Sequence, residues 1–284
     1  MPKGYWVSVY RTITDPSKLA AYNELARAAV QAFGDDPRTA ADRAGGVNPA
    51  ATVGVPRAAR DAGLRSYMLS VYNYMASGVL LTGIIAMLFA NSSLINMIIN
   101  PATGQATPLF WIALFAPLAI VFVLGFGINR ISAGTAQALF WLYAALVGVQ
   151  FSSLFLVYTG VSIAQAFFAT AAGFLGLSLY GYTTKRDLSG VGTFLIMGVV
   201  GLFVAMLINL FLRSPGLNLA ISAIGVLVFA GLTVYDTQKI KSIYFAVAGN
   251  GEAMAKSAVI GALNLYLDFI NMFLFLLRFM GNRR

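Results

Sequence analysis

From about residue 64 onward the chain alternates long, continuously apolar runs with short polar gaps. Seven runs can be marked, at 67–97, 107–128, 132–158, 161–183, 191–212, 217–240 and 257–279. Barrel strands would alternate polar and apolar residues, and these runs do not. Each is long enough to cross about 30 Å of hydrocarbon at about 1.5 Å per residue. In lipid the backbone must satisfy itself, so the pattern predicts seven membrane-spanning helices, antiparallel to their neighbours because the gaps are short. The last run carries the exception that organises the rest. Asn264, Asp268 and Asn271 recur at i, i+4 and i+7, which puts them on one helical face. A charge at mid-bilayer costs roughly 2.5–3.5 kcal/mol, so this face turns to a cavity or to polar groups on other helices. The predicted fold class is an all-α integral membrane protein. It is a seven-helix transmembrane bundle with the C-terminal helix at its centre, plus a short N-terminal extension.

Three regions differ in kind. In residues 1–34, Tyr5–Tyr10 reads as a short strand, and Asp15-Pro16 opens a helix through Phe33, with Asp15 as N-cap, Pro16 at N1 and Gly34 closing it. One strand and one helix cannot bury a core, so this unit is an appendage, a partner-dependent element or a fusion remnant. Its opening, Pro2-Lys3-Gly4-Tyr5-Trp6, resembles the first strand–helix unit of small ferredoxin-like dimeric α/β-barrel proteins. Residues 35–63 are rich in Ala, Gly, Arg, Asp and Pro without periodicity and read as a flexible linker. Residues 64–284 form the membrane domain. Met1–Arg65 has no apolar signal-peptide core, so the first membrane helix is expected to act as an uncleaved anchor.

Charge changes this picture little. The chain is 59% hydrophobic, with 19 Lys and Arg against 10 Asp and Glu, a net charge of +9. In a soluble protein that excess would indicate nucleic acid; here the cations sit in the N-terminal segment and at helix ends, which indicates lipid contact and orientation. Arg57, Arg60 and Arg65, the 129–131 turn, Lys185-Arg186, and Lys239 with Lys241 fall on one side, and Arg213 alone stands in the opposite loops. The N-terminus is therefore expected in the cytoplasm. Arg278, Arg283 and Arg284 break the pattern: either the tail lies outside or the last segment is re-entrant, and we take a full crossing. Tyr67, Tyr72 and Tyr74 read as interface anchors. Gly173 and Gly176, and Gly198 and Gly201, read as close helix contacts, and Gln150, Gln165 and Asn209 as interhelical hydrogen-bonders. With neither cysteine nor histidine, thiolate sites are excluded and proton sensing near neutral pH falls to carboxylates. No cofactor is expected.

After residue 66 the acids are Asp187, Asp236, Glu252 and Asp268. Asp236, at the basic end of the sixth run, is either an exposed acid at the membrane surface or the partner of Asp268. Asp268 is either hydrogen-bonded within the bundle or half of a pair. Two carboxylates in contact cannot both ionise cheaply, since like charges at 4 Å repel by roughly 4 kcal/mol at an effective dielectric of about 20. Such a pair titrates as a unit. It is a proton sensor and, doubly ionised, a site for a hard divalent cation such as calcium. Arg130 opens the third run and has two readings: a cation that snorkels to headgroups, or a latch that pairs with Asp236 on the cytoplasmic side. No phosphate loop, zincin helix or Gly-x-Ser-x-Gly elbow is present. An intramembrane aspartyl protease is half matched, by Tyr235-Asp236, but Leu267 precedes Asp268 where glycine is usual. An enzyme is not expected.

Leu265-Tyr266-Leu267-Asp268-Phe269-Ile270-Asn271, followed by Phe273-Leu274-Phe275-Leu276-Leu277-Arg278, together with Tyr235-Asp236-Thr237-Gln238 and Tyr72-Asn73-Tyr74-Met75, resembles the bacterial branch of the Bax inhibitor (transmembrane Bax inhibitor motif) family. The resemblance covers about residues 64–284. It implies six helices around the seventh and a pH-sensitive calcium leak pathway of the inner membrane. It also implies that the family's paired aspartates are Asp236 and Asp268, its gating arginine Arg130, and its ligands calcium and protons. An acid on the second helix of some relatives is missing, since none occurs between Asp61 and Asp187. The competing implication is a non-conducting regulator that binds other membrane proteins, such as a membrane-anchored protease.

Overall fold

The computed structural model describes residues 57–282. The expected strand–helix unit at 1–34, and the expected linker up to residue 56, lie outside the described residues. Seven helices are long and apolar enough to cross a membrane. They are α1 (Arg57–Ala90), α2 (Pro108–Gly127), α3 (Ala133–Phe151), α4 (Gly160–Thr183), α5 (Ser189–Leu212), α6 (Pro215–Val247) and α7 (Gly251–Met280). One further turn, Leu154–Val157, follows α3.

Capping fixes most boundaries. Ser132 accepts the Thr135 amide, Thr159 that of Ser162, Ser214 that of Leu217 and Asn250 that of Ala253, each relieving an orphan donor of a first turn. Pro108 and Pro215 sit in the first turns of α2 and α6, where a missing N–H costs nothing. α1 departs from expectation at both ends. It begins at Arg57, so the last residues of the expected linker are helical, because Ala and Arg extend a helix already nucleated by an apolar turn. It stops at Ala90, where the Asn91 side chain donates to the Met87 carbonyl, and 93–97 is a 3₁₀ segment. α6 and α7 run past their apolar stretches and are joined by the short turn at Gly249 (φ +95°). α7 is unbroken over 30 residues, about 45 Å, which removes the re-entrant alternative.

α7 is the hub. Two-thirds of its most apolar stretch is buried, against about a tenth for α5. It packs on α6, α1, α4 and α3, whereas α2 joins the bundle through α3, and α5 through α6. Its rings are keyed to different neighbours: Tyr266 to Phe140 and Tyr143 of α3, Phe269 to Phe167 and Phe174 of α4, Phe275 to Phe229 of α6. Each pair adds about 0.5–1.5 kcal/mol beyond its buried area. The Tyr266 hydroxyl meets Thr82 Oγ1 at 2.6 Å, and Thr82 also bonds the Ala144 carbonyl, tying α1, α3 and α7 together.

Several expectations about polar and small residues are corrected. Tyr67 and Tyr72 are interior hydrogen-bonders, the first donating to Ser257 Oγ and the second paired with Ser178 Oγ, while Tyr74 packs on Phe140 and Trp141. Gly173, Gly176 and Gly201 face open space on the lipid side, and only Gly198 of the four is close to a neighbour, Val228. Asn209 stays local, accepting the Ser214 amide, and Gln165 is exposed. Gln150 does bridge helices: its Nε2 donates to the carbonyls of Ala113 at 2.7 Å and Leu114 at 3.2 Å. The cause is Pro117 inside α2, which has no N–H for the carbonyl four residues back, Ala113. Gln150→Leu strands that carbonyl between α2 and α3 and is expected to cost about 1–2 kcal/mol. Thermal unfolding in detergent checks it, with the midpoint lowered by a few degrees.

Candidate functional site

Asp236 and Asp268 line one cavity. It is about 390 Å³ and lies between α5, α6 and α7. Asp236 comes from the α6 wall with Phe229 and Leu232. α7 contributes Asn264, Leu267, Asp268, Asn271 and Phe275, and α5 contributes Val199, Leu202, Phe203 and Met206. The stripe at i, i+4 and i+7 thus faces a cavity, as its spacing requires.

Asp268 is 4% exposed, and its Oδ2 is buried without a hydrogen-bond partner among the described residues. A carboxylate oxygen left so is costly unless something polar enters the cavity. Asp236, half-buried, lines the same cavity from α6, and Lys239 follows it one turn on. Asn271 donates its Nδ2 to the Leu267 carbonyl at 2.8 Å, which satisfies its amide hydrogen along its own helix and leaves the carboxamide oxygen as the free end. No group of three or more acidic ligands exists among the described residues.

Arg130 is not brought to this pair. It ends the 3₁₀ turn Ile128–Arg130 after α2 and is exposed. The single ion pair among the described residues is Lys256–Glu252 at 3.0 Å, within α7. The turn that carries Arg130 joins α2 to α3, and α3 otherwise packs on α1 and α7, so the Arg130 side chain forms no ion pair with Asp236 or Asp268.

The segment after Asp236 anchors the α4–α5 loop. Gln238 Nε2 donates to the Arg186 carbonyl at 2.7 Å, and its Oε1 accepts the Leu188 amide at 3.0 Å. Lys241 donates to the Tyr182 carbonyl at 2.8 Å, placing a cation at the negative end of α4. In the loop itself Asp187 accepts both the hydroxyl and the amide of Ser189, bonds that hold its carboxyl below the usual range. That tie is present at neutral pH and lost as pH falls through the depressed value. On the other face of α6, Thr237 Oγ1, Ser178 Oγ and the Tyr72 hydroxyl form a chain across α6, α4 and α1. The sequence reading missed both the chain and the apolar cavity wall: hydroxyls can satisfy their own helix, and an apolar residue facing a cavity reads like one facing lipid.

Fold and site together define a polytopic helical membrane protein with two aspartates, one buried and one half-buried, lining a cavity against its central helix. A family model described as Inhibitor of apoptosis-promoting Bax1 matches residues 64–284. Protein RP147 of Rickettsia prowazekii is 50% identical over 224 residues, covering 79% of this chain and 92% of its own. The inner membrane protein YbhL of Escherichia coli is 48% identical over 225 residues, covering 78% and 94%. A Caulobacter vibrioides protein is 46% identical over 230 residues, covering 79% and 91%. The chain belongs to the Bax inhibitor-1 family.

Proposed function

We propose that the protein is a calcium leak pathway of the cell inner membrane, its N-terminus in the cytoplasm, whose flux is set by the protonation of the Asp236–Asp268 pair. The observation that carries this reading is the cavity that Asp236 and Asp268 line together, with one Asp268 oxygen buried and without a partner among the described residues. Two carboxylates and two carboxamides are hard oxygen donors suited to calcium. With fewer acids than a storage site uses, they favour an ion that binds and leaves again. Protons compete for the same oxygens, which couples passage to pH. The inner membrane assignment draws on YbhL, and the orientation on the Lys185-Arg186 and Lys239/Lys241 side of the bundle.

The test is calcium entry into dye-loaded vesicles containing the purified full chain. Entry well above that of protein-free vesicles, and abolished in the double variant Asp236→Asn/Asp268→Asn, is the expected result. Well-folded protein that admits no calcium would instead make the chain a non-conducting regulator of other membrane proteins.

A further inference from the structure

α5 is bound to the bundle along one edge. The Tyr235 ring occupies the space beside Gly192, where an added Cβ would lie 2.3 Å from it, and Leu195 fills the notch at Gly231 at 2.8 Å. These contacts seat α5 tightly on α6. α5 reaches α7 at Met206, whose sulfur accepts from Arg278 Nη1 at 3.8 Å, and the 390 Å³ cavity occupies the wedge between the two helices. The cavity begins at Val199, ten residues or about 15 Å from the Ser189 end of α5, which puts it well inside the membrane.

The two sides of the wedge are chemically opposite. α7 presents Asn264, Asp268 and Asn271, whereas α5 presents Val199, Leu202 and Met206, a wall of carbon and sulfur. A water occupies about 30 Å³ of liquid, so the wedge has room for a cation with part of its hydration shell. Asp268, which lines the wedge, has one oxygen without a partner among the described residues, and a hydrated cation entering the wedge would supply one.

We propose that the wedge between α5 and α7 is the hydrated route by which a hard divalent cation reaches the acid pair, and that the apolar face of α5 is its constriction. This rests on the leak-pathway reading above. An ion at Asp268 gains oxygen ligands from α6 and α7 and none from α5, so it keeps its waters on the α5 side. Passage then depends on whether the wedge is wet, and Leu202 and Met206 decide that, as apolar constrictions do in pores that close by drying.

The chain has no cysteine, so one introduced thiol is the only thiol. Met206→Cys and Asn271→Cys are expected to react with a charged, water-borne thiosulfonate many-fold faster than Val200→Cys, which lies on the exposed face of α5. Once modified, Met206→Cys is expected to lose calcium entry, whereas Asn271→Cys, which removes a proposed ligand, is read for thiol reactivity alone. Leu202→Asn, which wets the constriction without filling it, is expected to raise calcium entry several-fold. If both wedge thiols are as inert as the one at 200 in protein that still conducts calcium, the route is overturned and the function stands. If the native chain conducts no calcium, the function falls and the route with it.

Discussion

Gly225→Leu is expected to remove most of the folded protein. Gly225 faces the Phe275 ring, and a Cβ there would stand 2.5 Å from the ring's Cγ, far inside contact distance. Phe275 is 5% exposed and stacks on Phe229 at 5.8 Å, so to admit the new side chain its ring must give up that stack and turn into the cavity it lines. In lipid, helices gain little from hiding apolar surface from one another, so close fit between α6 and α7 carries much of their association. Forcing a leucine into that fit costs about 3 kcal/mol, the upper end of what overpacking usually costs. Size-exclusion recovery after detergent extraction measures it. Gly176→Leu is the control: nothing lies near Gly176, so the same side chain there is expected to leave recovery unchanged. Equal recovery of both variants would contradict the hub role of α7.

Asp268→Asn is expected to flatten the pH dependence of calcium entry. Asparagine keeps the shape and the oxygen, and removes both the titration and the charge. In the native pair each carboxylate raises the cost of ionising the other, by a few kcal/mol when they are in contact. Removing one takes its partner's charge away from the other and shifts any remaining transition in pH. Asp236→Asn is expected to do the same from the α6 side. The double variant is expected to add less than the two single effects combined, because the pair acts as a unit. Additive effects would mean that the two acids work separately.

Much of this arrangement is legible in the sequence. The seven apolar runs give the helices, and the spacing of Asn264, Asp268 and Asn271 gives a face that has to turn inward. Scarcity does the rest, since only Asp236 among the remaining acids lies at the end of a neighbouring apolar run. Other features depend on which helices meet. Tyr67 and Tyr72 have the composition of interface anchors, and only the positions of Ser257 and Ser178 reveal their interior bonds. Gly173 and Gly225 look alike in sequence, yet one faces lipid and the other faces a ring. Arg130 lies on the side expected of a latch, but it forms no ion pair with either aspartate. Leu202 and Met206 carry no local mark at all, because apolar residues face lipid and cavity with the same chemistry.

The central claim is that protons and calcium meet at Asp236 and Asp268, and it is tested most directly by calcium entry into proteoliposomes of the native chain from pH 6 to 8. The account predicts an entry rate that changes with pH across this range in native protein. A steady, pH-independent rate, or no entry at any pH in folded protein, would contradict it.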